Sequence, residues 1–169
     1  PAVLASTIHA FAWSLMKDFQ AFMRKWLEHE PYWIEKTTPF GGIGARRVEY
    51  ELGYSRVRDH EISISHDDVI KIFVAILDEP KFRQLLVSRH PILFIDEYQD
   101  SDKGFAEALK THFLEKETGL LLGFFGDHWQ KIYPNVCGKF EHSGLVAIDK
   151  KANFRSAKPI VEVLNSMRP

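Results

Sequence analysis

What the 169-residue chain lacks narrows its possibilities before any motif is read. It has one cysteine, Cys137, so no intramolecular disulfide can form, and a reducing interior is the natural setting. Its eight histidines and that cysteine show no ligand spacing such as H-x-x-x-H or paired cysteines, so no structural metal centre is expected. An excess of either charge is also missing, with 22 basic against 23 acidic residues. Composition therefore gives no sign of a nucleic-acid partner, although a local basic stripe is enough to meet phosphates. No apolar run approaches the roughly 18 residues that span a membrane. The opening "PAVLASTIHAF" has no basic leader before its apolar stretch, so no signal peptide is expected and the chain reads as cytoplasmic. It also lacks an initiating Met, and the closing "VLNSMRP" is equally abrupt. Both ends fit a piece of something longer.

What is present reads as one ordinary globular domain, with 45% hydrophobic and 27% charged residues. Four short apolar runs, at 2–5, 92–95, 120–125 and 145–148, are nearly continuous rather than alternating, as in parallel strands covered on both faces. Helical patterns separate most of them. "SHDDVIKIFVAILDEPKFRQLLV" sets Val69, Ile72, Phe73 and Ile76 on one face and restarts at Pro80. Ser65, followed by Asp67 and Asp68, is a good cap for its start. "SDKGFAEALKTHFLEKETG", capped by Ser101 or Asp102 and stopped by Gly119, is another helix, and "SAKPIVEVLNSM" a third. This alternation predicts an α/β parallel sheet flanked by helices. Residues 19–63 break the rhythm, with an aromatic-rich helical stretch followed by loops and short strands, and read as an inserted small subdomain. Residues 1–18 and 64–169 form the main unit. Trp13, Trp26 and Trp33 read as core or interface rather than as a base-stacking platform.

Three of the apolar runs end in acid, at Asp96 in "LFID", Asp127 in "GFFGD" and Asp149 in "LVAID". Open parallel sheets bind ligands beyond the carboxyl ends of their strands, yet a lone Asp there is equally a turn or cap residue. Asp96–Glu97 directly after an apolar strand is harder to dismiss, because crowded carboxylates call for a cation. In phosphate-transferring ATPases an Asp at such a place holds Mg²⁺ and a neighbouring group handles the attacking water. "GFFGDHWQKIY" brings Asp127 and Gln130 to the same edge, and Gln can touch a phosphate oxygen and a water together. "ANFRSAKPI" sets Arg155 before a helix, suited either to a salt bridge or to a transferring phosphoryl group. "ASTIHAF" sets Ser6, Thr7 and His9 between a strand and a helix, where caps and phosphate contacts look alike.

Together, in this order, "STIHAF", "FIDEYQDSD", "GDHWQKIY" and "NFRS" resemble the T-x-H-x-F, D-E-x-Q-D, G-D-x-x-Q-x-I-Y and N-Y-R-S segments of the UvrD/Rep family of superfamily 1 DNA helicases. The resemblance implies a RecA-like P-loop NTPase fold, present in part, with 19–63 as a shortened form of the family's inserted subdomain. It implies ATP and Mg²⁺ as cofactors. Asp96 would be the Mg²⁺ partner, Glu97 the general base, Gln130 the γ-phosphate sensor, Arg155 the transition-state cation and Phe154 the ring on adenine. Thr7 and His9 would lie along single-stranded DNA. The implied partners are single-stranded DNA, duplex junctions and the remaining helicase domains, with no membrane. The implied activity is ATP-driven movement on single-stranded DNA, 3′ to 5′.

Two features depart from that family. The loop G-x-x-x-x-G-K-[ST] is absent from this sequence: "CGKF" continues with Phe140, and "FGGIGARR" reads as a turn. The loop is expected upstream of Pro1, and the chain alone is expected to be inactive. After Tyr133 the family's R-[FW]-R-G-A is replaced by "PNVCG", with Asn135 in the aromatic's place and Phe140 the nearest substitute. Two alternatives stay open. One is a metal-dependent nuclease built on Asp96, Asp127 and Asp149, which leaves Gln130 and Arg155 without roles. The other is a non-catalytic nucleic-acid-binding module that keeps the helicase fold.

Overall fold

Helix α4 (His66–Ile76) organises the molecule, and its repeat explains why: Val69, Ile70, Ile72, Phe73 and Ile76 are all buried. The expected cap is reciprocal. Ser65 Oγ accepts from the Asp68 N–H at 3.3 Å, and the Asp68 carboxylate accepts from the Ser65 N–H at 3.0 Å. Helix α1 (Ile8–Met16) lies along α4. The Phe73 ring meets Phe11 of α1 at 6.3 Å between centroids, Phe82 of α5 (Pro80–Arg89) at 5.8 Å and Phe105 of α6 (Lys103–Leu109) at 6.0 Å. This computed structural model describes residues 3–116, 118–134, 136–139, 141–150 and 152–167. Asn135 and Phe140 lie outside the described residues.

The aromatic-rich stretch after α1 forms two helices, α2 (Gln20–Leu27) and α3 (Pro31–Thr37). Pro31 restarts the chain at a first turn, where its missing N–H leaves no bond unmade. A small mixed sheet follows, β1 (Arg47–Tyr50) parallel to β3 (Glu61–Ile64), with β2 (Arg56–Val57) antiparallel on the other side of β3. The Gln20 amide clamps α2 to β1, donating to Val48 O at 2.9 Å and accepting from Val48 N at 2.8 Å. "FGGIGARR" is a turn, with Gly41, Gly42 and Gly44 at φ 76°, 84° and 58°, tied by Arg46 to the carbonyls of Phe40 and Gly42. Met23, Leu27, Trp33, Val48, Ile62 and Ile64 from this region share one hydrophobic cluster with α1 and α4. Trp33 is fully buried there, and Trp13 and Trp26 are half-buried against the same cluster.

Two strands, β4 (Ile92–Ile95) and β5 (Leu121–Phe124), pair in parallel with Ile92 opposite Leu121 and Ile95 opposite Phe124. Helix α6 joins them, capped by the Asp102 carboxylate on Phe105 N at 2.9 Å and prolonged by a π-turn over Lys110–Leu114. The expected strands at 2–5 and 145–148 do not form. Residues 3–5 and 145–148 are irregular, with Ala2 outside the described residues. Among the described residues β4 and β5 pair only with each other, so those runs have no neighbour to receive their backbone bonds. Coverage also differs from expectation. Ile95 is buried on one face of the pair, whereas Ile92, Phe94, Leu121 and Phe125 stand exposed on the other. The result is an α/β chain with two small sheets.

Candidate active site at the strand ends

The pairing of β4 with β5 does not stop where the strands do. Phe125 N donates to Ile95 O at 2.8 Å, and Tyr98 N donates to Phe125 O at 3.1 Å. The chain segments carrying Asp96–Glu97 and Gly126–Asp127 are thereby stitched together beyond the carboxyl ends of two parallel strands. Asp96 is exposed, and its Oδ1 accepts from the Glu97 N–H at 3.0 Å. Glu97 sits at φ 48° and ψ 43°, the one non-glycine in the left-handed region among the described residues. That conformation costs an L-residue about 1–2 kcal/mol. Strain of this kind collects where a side chain must be aimed.

Gln99 bonds directly to the Glu97 carboxylate, and no motif role points to it in advance. It is buried, and its Nε2 donates to Glu97 Oε2 at 2.7 Å while its Oε1 accepts from Asp127 N at 3.2 Å. Its own carbonyl accepts from Gly138 N at 3.2 Å. Gly126 makes room for this amide: a Cβ there would lie 2.1 Å from Gln99 Oε1. Asp127 then caps the short turn His128–Gln130, accepting from Trp129 N at 3.0 Å and from Gln130 Nε2 at 3.2 Å. The structure thus joins Asp96, Glu97, Asp127 and Gln130, through Gln99, in one hydrogen-bonded group. Tyr98 and Cys137, which line one small cavity together, are pushed up in pKa chiefly by burial.

The other candidates come from other segments of the chain. Asp149 lies in an irregular segment rather than at a strand end, because the strand expected before it is absent. Among the described residues no three His, Cys, Asp or Glu side chains converge as a metal would require, so Asp149 does not complete a set with Asp96 and Asp127. Asn153 Oδ1 accepts from the N–H groups of Arg155 and Ser156 at 2.9 and 3.1 Å, a turn that leads into α7 (Lys158–Met167). Phe154 in that turn is 95% exposed, and α7 buries none of its residues.

Thr7 caps α1, accepting from Ala10 N at 3.2 Å, which is the plain role its position allowed. His9 stacks on His66 with ring centroids 3.3 Å apart, and the Tyr50 hydroxyl meets His66 Nδ1 at 2.6 Å. Burial first, then the neighbouring His66, holds the His9 imidazole below its usual pKa, against the raising pull of Asp67 and Asp102. This stack was not legible beforehand, since 56 intervening positions give no periodic signal linking residues 9 and 66.

The family model for the UvrD/REP helicase N-terminal domain matches residues 45–135, more than half of the chain, including the whole strand-end group. Gabija protein GajB of Bacillus cereus (strain HuB5-5) is 33% identical over 132 residues, which cover 74% of this chain and 19% of that protein. RecBCD enzyme subunit RecB of Buchnera aphidicola subsp. Schizaphis graminum (strain Sg) is 27% identical over 119 residues, covering 65% of this chain and 10% of that protein. The chain therefore spans about a fifth or less of the length of these curated relatives. No solved structure matches it. With the D-E-x-Q-D and G-D-x-x-Q segments meeting at the ends of paired parallel strands inside the matched region, the chain belongs to the UvrD/REP helicase N-terminal domain family.

Proposed function

We propose that the chain is part of a RecA-like ATPase motor that couples ATP hydrolysis to 3′ to 5′ movement on single-stranded DNA. Residues 1–18 and 64–169 would belong to the motor and 19–63 to its inserted subdomain. The observation that carries this reading is the joining of Asp96–Glu97 to Asp127–Gln130 across two parallel strands. The donor set suits the implied cation. Asp96 offers an exposed carboxylate, and the shell would have to be completed by phosphate oxygens and water, which is how Mg²⁺ commonly binds. Bound there, Mg²⁺ on ATP supplies neutralisation of phosphate charge. Glu97, aimed by its backbone and by Gln99, would take the proton of the attacking water. Gln130, held by Asp127, would report on the terminal phosphate. Arg155 and Phe154 would join the nucleotide from the turn before α7, and Thr7 and His9 would meet single-stranded DNA. Junctions with duplex DNA and the other helicase domains are the partners this reading requires, in an intracellular protein.

The test uses the protein that contains this chain together with a phosphate-binding loop. Glu97→Gln should keep nucleotide binding and lose about 10²–10⁴-fold in DNA-stimulated turnover, since an amide cannot accept the water's proton. Equal losses in ATP affinity and rate would make Glu97 a structural ligand instead. The chain 1–169 by itself should not hydrolyse ATP, because the loop amides and Lys that hold the phosphates are not in its sequence.

A further inference from the structure

We propose that Gln99 is a positioning residue that locks the Glu97 carboxylate to the turn carrying Asp127 and Gln130, so that the two strand ends act as one unit. The inference rests on reading Glu97 as the general base. Three independent observations carry it. The Gln99 side chain is 1% exposed, yet both ends of its amide are used, one on the Glu97 carboxylate and one on the Asp127 N–H. Glu97 is held in a backbone conformation that an L-residue adopts only under compulsion. Gly126 leaves the space that the amide occupies, since any Cβ would meet Gln99 Oε1.

The bridge uses both halves of the amide. Its donor and acceptor sit on one planar group, so the side chain meets a carboxylate and a backbone N–H at once. A buried amide in a low-dielectric setting makes the stronger bond to the charged partner. Motion of Gln130, which Asp127 holds at 3.2 Å, would reach Glu97 through the Asp127 backbone and the Gln99 amide. A sensor and a base joined this way are set or unset together.

The experiment compares wild type, Gln99→Ala, Gly126→Ala and Glu97→Gln in the full protein with its phosphate-binding loop. Gln99→Ala should lower kcat by tenfold to a hundredfold, on the order expected when a reacting group is displaced by about 1 Å. The KM for ATP should stay within about twofold, because no phosphate contact is removed. A second readout needs no nucleotide. Hydrogen exchange at the Asp127 amide should speed up in Gln99→Ala, while the Gly138 amide, bonded to the Gln99 backbone carbonyl, keeps its protection. Gly126→Ala retains Gln99 and displaces its amide, so it should show the same split and the same exchange pattern. Wild-type kcat in both Gln99→Ala and Gly126→Ala, with Glu97→Gln inactive, would overturn the inference and leave the general base intact. Unchanged protection at Asp127 would overturn it as well. A Glu97→Gln protein that turns over normally would instead overturn the underlying reading, whatever the Asp127 amide does. If Gln99→Ala loses protection at both amides, Gly126→Ala decides alone: a lowered kcat with Gly138 still protected supports the bridge, and any other result overturns it.

Discussion

Glu97→Gly and Glu97→Ala should separate the strain at the strand end from the chemistry of the carboxylate. Both substitutions remove the acceptor of the Gln99 amide, a charge-assisted bond of 2.7 Å, so that loss cancels between them. What differs is the backbone. At φ 48° and ψ 43° alanine keeps a left-handed penalty of about 1–2 kcal/mol, and glycine escapes it. Glycine's greater freedom in the unfolded chain offsets about 0.4–1 kcal/mol of that advantage. The Gly variant should therefore be the more stable by roughly 1 kcal/mol, a shift of about 2–4 °C in Tm for a domain of this size. Urea unfolding of the chain, with m compared between variants, measures it directly. If Ala proved as stable as Gly, Glu97 would not be strained, and the argument that its side chain is deliberately aimed would fail.

Three other outcomes follow from the geometry. Phe73→Ala removes a fully buried ring at the meeting of α1, α4, α5 and α6, and should cost about 3–5 kcal/mol, read as a lowered urea midpoint. Stability should fall as pH drops from 7 through the unfolded histidine value of about 6.5. His9 and His112 both have lowered folded pKa values, chiefly from burial, so the unfolded chain takes up protons first and is favoured on acidification; replacing both with Gln should flatten that slope. If Arg155 meets the transferring phosphoryl group as proposed, Arg155→Ala in the full protein should lower kcat more than ATP affinity, because such a cation matters most as charge develops there; an unchanged kcat would assign Arg155 to an ordinary surface role.

The elements that periodicity could reach were the ones bound by their own local signals. The two central helices were legible because Ser65, Asp67, Asp68 and Pro80 mark their starts and the apolar repeat marks their buried face. Of the runs at 2–5 and 145–148, the described residues form no strand, because apolar composition alone does not make one. A strand exists only where another backbone completes its hydrogen bonds, and neither run has one among the described residues. The same limit explains the open face of the β4–β5 pair. Continuous hydrophobicity predicts cover on both sides, but the cover itself is a tertiary fact.

The strand-end carboxylates were legible for a chemical reason: nothing apolar explains Asp96–Glu97 after "ILFI". Gln99 was hidden by the same reasoning, because an amide inside a polar stretch is what a solvated turn would also contain. Its burial and its double use depend on Gly126, a position 27 residues away whose missing side chain is the only trace left in sequence. A glycine that follows an apolar strand reads locally as a turn. Here it marks the close approach of a second segment, since a Cβ would also come within 2.9 Å of the Tyr98 ring. Pairing a strand-end glycine with a polar residue after the neighbouring strand is therefore a usable signal. In this chain it pairs Gly126 with Gln99, the buried amide that links the Glu97 carboxylate to the Asp127 N–H.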